Sequence, residues 1–156
     1  MNPSSQFTLP RTGHVVANRS VLAAMTNKQS NEDGTLSDEE IKWLVRRAKD
    51  GFAITTTAAA NVTEHGRGWD GEMGVWGDHQ LPGLTKMATQ LKATGTLSLA
   101  QIFHGGMRAP KPLNGVQPVS ASENTEDGMD GLYTRALTHD EVLGMSGTLA
   151  RHRAMG

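Results

Sequence analysis

The sequence predicts an α/β chain: the first three βα units of a TIM (β/α)8 barrel, preceded by a small N-terminal hairpin. Three observations lead there. Short apolar runs alternate with amphipathic segments that carry helix caps. The segments that follow the apolar runs are longer than those that follow the helices, the pattern of a parallel sheet with right-handed crossovers. Finally, 156 residues make one domain with a real core but fall short of the about 250 of a complete barrel. Residues 1–156 are therefore expected to form a single incomplete barrel domain with its function on the long-loop face.

The opening stretch from Phe7 to Val16 places Pro10 and Gly13 between two short apolar pieces and reads as a hairpin that plugs one barrel end. Ser20 to Met25 is a continuous apolar run, as expected of a strand buried on both faces. A polar loop from Thr26 to Leu36 leads to Ser37, Asp38, Glu39 and Glu40, a capping box whose Ser and Glu satisfy free amide hydrogens at a helix start. Ile41, Leu44, Val45 and Ala48 then form one apolar stripe, and Gly51 ends the helix. Phe52 to Thr57 is β-branched and passes into Ala58, Ala59 and Ala60, small side chains that let a ligand approach the backbone at a strand end.

A long loop from Asn61 to Leu81 precedes a helix opened by Pro82, striped by Leu84, Met87, Ala88 and Leu91, and stopped by Gly95. Thr96 to Gln101 is the third strand. Gly105 to Leu137 holds Pro110, Pro112, Pro118, Gly115, Gly128 and Gly131, too many breakers for a helix, and reads as a lid-like excursion. Thr138 to Glu141 is a second capping box, opening a last helix with Val142, Met145 and Leu149.

Composition excludes several classes. Fifteen Lys plus Arg against sixteen Asp plus Glu leave a net charge of −1, so no basic field points to nucleic acid or an anionic membrane. The absence of Cys removes disulfides, thiol nucleophiles and Cys-based metal sites, and fits a reducing compartment, with the cytoplasm as the expected location. No apolar run approaches the about 18 residues of a membrane span, and the N-terminus lacks a signal-peptide pattern. No phosphate-binding Gly loop is present, because Gly105 and Gly106 lead into Met107, Arg108, Ala109 and Pro110 instead of a helix. No metal site is expected: His65 and His79 with Asp70, Glu72 or Asp78 lack a helical register. His14, His65, His79, His139 and His152 read as solvated, Trp43 as packing, and Trp69 and Trp76 as packing or as walls of a pocket.

The informative segment is Gln101-Ile102-Phe103-His104-Gly105-Gly106, where one strand delivers a Gln and a His to the end at which barrels do chemistry. Asn18 and Arg19 before the first strand, Ala24-Met25-Thr26 at its end, and Gly66-Arg67 in the second loop accompany it. Pro118 to Ser122 and Arg135 to Thr138 follow. Taken together, these motifs resemble the old yellow enzyme family from about Phe7 to the end of the chain. The resemblance implies an FMN-dependent NAD(P)H oxidoreductase on a TIM barrel, passing hydride from NAD(P)H through FMN to an activated alkene or similar small-molecule acceptor.

By that resemblance the backbones of Ala24 and Met25 meet the flavin edge, and the Thr26 hydroxyl lies near the reducible ring, where a donor stabilises the charge of the reduced state. Thr26 is the residue expected to influence the chemistry, its other reading being a local backbone bond. Ala58 or Ala59 contacts the ring, the Gln101 amide bonds its pyrimidine end as donor and acceptor, and His104 holds the loop or the ligand mouth. The chain departs from the family in carrying Met107 before Arg108, so Arg108 receives no role. A His or Asn pair on a fourth strand, a Tyr proton donor and late-barrel phosphate groups are also implied and are not found in these 156 residues. The expectation is thus an enzyme part inactive alone, either a truncated chain completed by missing sequence or a part completed by a second chain or a homo-oligomer. Its alternative is a non-catalytic partial barrel that serves as an oligomerising or binding module.

Overall fold

In the computed structural model, which describes residues 2–125 and 133–154, the chain is α/β with a parallel sheet at its centre. Strands β1 (Phe7–Thr8) and β2 (Val15–Val16) form the antiparallel hairpin. Arg19 ties it down, its guanidinium 4.4 Å from the centre of the Phe7 ring. Strands β3 (Val21–Leu22), β4 (Ile54–Asn61), β5 (Met73–Gly74) and β6 (Leu97–Phe103) follow, with β4 the hub of all pairings. Helices α1 (Asp38–Lys49) and α2 (Leu81–Lys92) pack on one face of that sheet.

All four residues of the α1 stripe are buried, joined in the core by Leu22, Ala60, Met73, Met87 and Leu91. The matching stripe of α2 is less complete, because Ala88 is exposed. Residues paired across parallel strands share a face, so Leu22, Thr55, Ala60 and Ile102 point to the helices. Val21, Thr56, Ala59, Leu99 and Gln101 line the opposite face. That face is open: Val21 and Leu99 are 52% and 46% exposed.

Three strands depart from their expected bounds, the simplest being β6, which starts at Leu97 and runs past the expected Gln101 to Phe103. β3 ends at Leu22, well short of Met25, and the backbone beyond it leaves the ladder before the stretch of β4 that β5 joins. Val21 and Leu22 pair with Ile54 and Thr55, while Met73 and Gly74 pair with Ala60 and Asn61 on the same edge. β4 begins at Ile54, later than the expected Phe52, and runs through the expected Ala58, Ala59 and Ala60 to Asn61, which the sequence places in the loop; pairing on both edges and burial override the low strand preference of Ala.

The excursion after β6 is more ordered than its breakers imply. It holds one short helix, α3 (Lys111–Asn114), ended by Gly115 at φ +70°. It also holds β7 (Val119–Ser120), β8 (Asn124–Thr125) and β9 (Tyr133–Ala136) in a small mixed sheet. Helix α4 (His139–Ala154) has the full second capping box: the Thr138 amide donates to Glu141 and the Glu141 amide to Thr138 Oγ1. Gly128, Gly131 and the side chain of His152 lie outside the described residues.

Candidate functional site

The C-terminal ends of β3, β4 and β6 meet on the open face. Ala24, Met25 and Thr26 leave β3 as irregular backbone, and among the described residues no ladder or turn hydrogen bond engages their amides or carbonyls. Ala58 and Ala59 are buried in the adjoining stretch of β4. Gln101 stands in register with Ala59 on β6 and is exposed, so its amide is free of any burial cost and presents donor and acceptor to solvent. Met25 and Thr26 are exposed as well. The arrangement is a shelf of unpaired donors over small side chains, flanked by an amide.

A β-bulge shapes that shelf. Between Thr56 and Ala59 the register of β4 against β6 slips, so Thr57 and Ala58 together oppose Ala100. Thr57 repairs the ladder with its side chain: Oγ1 accepts from the backbone N–H of Gln101 at 3.2 Å and donates to the Ala58 carbonyl at 2.7 Å. The extra residue keeps Ala59 and Gln101 on the open face while Ala60 stays in the core.

His104 lies just past the strand and turns away from the shelf to close its own loop. Its Nδ1 accepts from the Gly106 amide at 2.9 Å, which fixes a neutral ring with its hydrogen on Nε2, and burial holds its pKa below the ordinary value. Gly66 permits this packing, since a Cβ there would stand 2.4 Å from His104 Cδ2. His104 also lines a cleft of about 460 Å³ together with Thr63, Val119, Arg135 and Met145.

The sequence marks Arg67 only within the Gly66-Arg67 motif and Glu72 only as a rejected metal ligand, and it gives Asn61 and Thr63 no role, so the buried polar cluster at the end of β4 went unread. Glu72, 2% exposed, accepts from the Gly68 amide at 2.7 Å but leaves Oε1 unpartnered, and burial pushes its pKa up to about 7. The Asn61 Oδ1, Thr63 Oγ1 and Arg67 Nε atoms are also buried without partners. The alternation of residues 72 and 74 along β5 would have aligned Glu72 with the Asn61 face, but a two-residue strand leaves no period to read. Trp69 packs on Phe103 with ring centres 5.3 Å apart and also borders a second cleft, with Lys28, Asp70 and Leu113. Trp76 packs over Gly34 and Gly74, and Trp43 against the core. His14, His65, His79 and His139 are exposed, and among the described residues no cluster of metal-ligating side chains occurs. No helix among those residues is long and apolar enough to cross a membrane.

The shelf suits the edge of a planar, hydrogen-bonding heterocycle. Its donors have no competing partner, its floor is methyl-sized, and the Gln101 amide answers a ring edge that both donates and accepts.

Comparison with known proteins follows the same line. The sequence profile of the NADH:flavin oxidoreductase / NADH oxidase family matches residues 12–150. The chain is 36% identical over 147 residues to a probable NADH-dependent flavin oxidoreductase, YqiG, of Bacillus subtilis, covering 91% of this chain and 39% of that protein. It is 33% identical over 140 residues to the NADH:fumarate oxidoreductase of Klebsiella pneumoniae, covering 89% of this chain and 15% of the other. In three dimensions it superposes on an old yellow enzyme homologue from Zymomonas mobilis with a TM-score of 0.84 at 22% identity, over 95% of this chain and 43% of that one. The chain thus spans well under half the length of these relatives.

Proposed function

The chain belongs to the NADH:flavin oxidoreductase / NADH oxidase family, and from that premise we propose that it supplies the flavin-ring floor of an FMN-dependent oxidoreductase. The reaction is hydride transfer from NAD(P)H by way of FMN to an activated alkene or similar small acceptor. The name of the Klebsiella relative, an oxidoreductase for fumarate, supports an alkene conjugated to carboxylates as one such acceptor.

The observation that supports this reading is the parallel pairing of β3 and β6 on β4, with Ala59 in register with Gln101 and the chain beyond β3 leaving as exposed, unpaired backbone. Bound FMN supplies the hydride-carrying chemistry. The protein's part is binding and polarisation. The backbones of Ala24 and Met25 direct hydrogen bonds at the ring edge, Ala58 and Ala59 keep the floor low, and Gln101 orients the ring through its paired donor and acceptor. The Thr26 hydroxyl donates where negative charge gathers on reduction, which stabilises the reduced state without a proton transfer by Thr26 itself. His104 holds the loop that borders this face.

Activity belongs to the chain joined with further barrel units, whether these lie in the same longer polypeptide, in a second one or in an oligomer, because the open faces of β3 and β6 need cover. A second reading, a non-catalytic module that associates through those faces, is favoured by the exposure of Val21 and Leu99.

Titration of the purified chain with FMN, and with lumiflavin to test the ring floor alone, separates the two readings. Saturable binding of lumiflavin, weakened about tenfold by Gln101→Ala, is the expected result. A well-folded chain that binds neither flavin, and elutes as a stable colourless oligomer, overturns the flavoenzyme reading in favour of the module.

A further inference from the structure

We propose that Glu40 is the positioning residue for the ring-facing stretch Ala24 to Thr26, an inference that rests on the flavin reading above. Glu40 is wholly buried at the third position of α1. Its backbone amide meets the Ser37 cap, yet its carboxylate does not return to Ser37 as a capping box would have it. Oε1 accepts instead from Asn27 Nδ2 at 3.0 Å and Oε2 from the Ser30 hydroxyl at 2.5 Å. Both partners sit in the loop that continues from Thr26. A carboxylate taken out of water is costly, and here two directed donors and the positive end of α1 compensate it.

The loop between those partners bears the mark of the clamp. Lys28 adopts φ +53°, a left-handed conformation unfavourable for a side chain of its kind, which persists only where the surroundings over-determine it. On the β5 side the loop is fixed by the Ser30 amide, which donates to the Gly71 carbonyl at 3.1 Å. The Lys28 carbonyl also lies 2.7 Å from where a Cβ on Gly71 would stand. On the α1 side it is fixed by Glu40. Ala24, Met25 and Thr26 make no ladder bond of their own, so beyond Leu22 their placement depends on the loop that Glu40 grips.

The test is made on the full chain by hydrogen exchange over residues 23–31 and by lumiflavin titration, with Glu40→Ala and Glu40→Gln. Glu40→Ala is expected to speed exchange at 26–30 about tenfold or more, leaving β4 and β6 unchanged, and to weaken lumiflavin about tenfold. Glu40→Gln is expected to recover most of both, because its amide can accept from Asn27 while donating to Ser30, whose hydroxyl also accepts. Wild-type exchange in a folded Glu40→Ala chain overturns the proposal, as does faster exchange with unchanged affinity. Should Glu40→Ala fail to fold, Asn27→Ala keeps the Glu40 to Ser30 bond and must move both readouts the same way to a smaller extent. Failure of the wild-type chain to bind lumiflavin sinks the flavin reading and this inference with it, an outcome distinct from the first two because no variant is needed to see it.

Discussion

Glu72 and His104 are both buried enough to resist charge, yet they answer pH in different ways. The folded-state pKa of Glu72 is raised from 4.5 to about 7, so the folded chain holds a proton that the unfolded chain has already lost across that interval. Its stabilising share is complete below about pH 4.5 and is lost as pH rises through about 7, which makes the chain less stable at neutral pH than at pH 5 on this account. Denaturant unfolding of Glu72→Gln should lose that slope and gain on the order of 2 kcal/mol at neutral pH. Gly66→Ala should act by volume: its new methyl meets the His104 ring, so a loss of about 1–3 kcal/mol and a shifted His104 resonance are expected in nuclear magnetic resonance. Gln101 drew notice in the sequence as an amide closing an apolar run, although β6 carries on past it to Phe103. The burial of Glu72 was not legible, since a carboxylate in a Gly-rich loop reads as solvated until the fold closes over it.

At the scale of elements, α1 was the most legible, because four apolar positions at helical spacing can be satisfied only by one buried stripe. The same pattern concealed Glu40, whose place in a capping box already accounted for it. The bulge in β4 was invisible for another reason. In a run of three Thr and three Ala every residue looks alike to a two-residue period, so nothing marks where one is inserted. Its chemistry is testable all the same. Thr57→Val keeps the shape but leaves the Gln101 amide without its acceptor, which should cost about 1–2 kcal/mol, while Thr57→Ser should restore it in thermal unfolding. Strand β5 could not be read at all, being two residues whose pairing follows from tertiary position.

For the whole molecule the α/β class followed from the alternation of periods, whereas the extent of the sheet depends on pairing between distant segments. Among the described residues β3 and β6 each pair with β4 alone, and Val21, Leu99 and Ile102 lie exposed. Such a sheet is expected to bind a hydrophobic dye and to associate with rising concentration. Leu99→Glu with Ile102→Lys should lower both in light scattering while leaving the α1 core intact. The wedge of β5 beside β4 carries a last consequence, for the order in which the chain assembles. Ala60 and Met73 are close in sequence and Val21 and Ile54 far apart, so β4 and β5 can join at small entropic cost before β3 arrives. The edge that the loop after β3 must dock against is then ready in advance, and pulse-labelled exchange during refolding should find the Val75 amide, bonded to the Asn61 carbonyl, protected before those of Ser30 and Gly74, which bond the Gly71 and Gly34 carbonyls. The stretch from Ala24 to Thr26 then takes shape last, laid onto a finished surface.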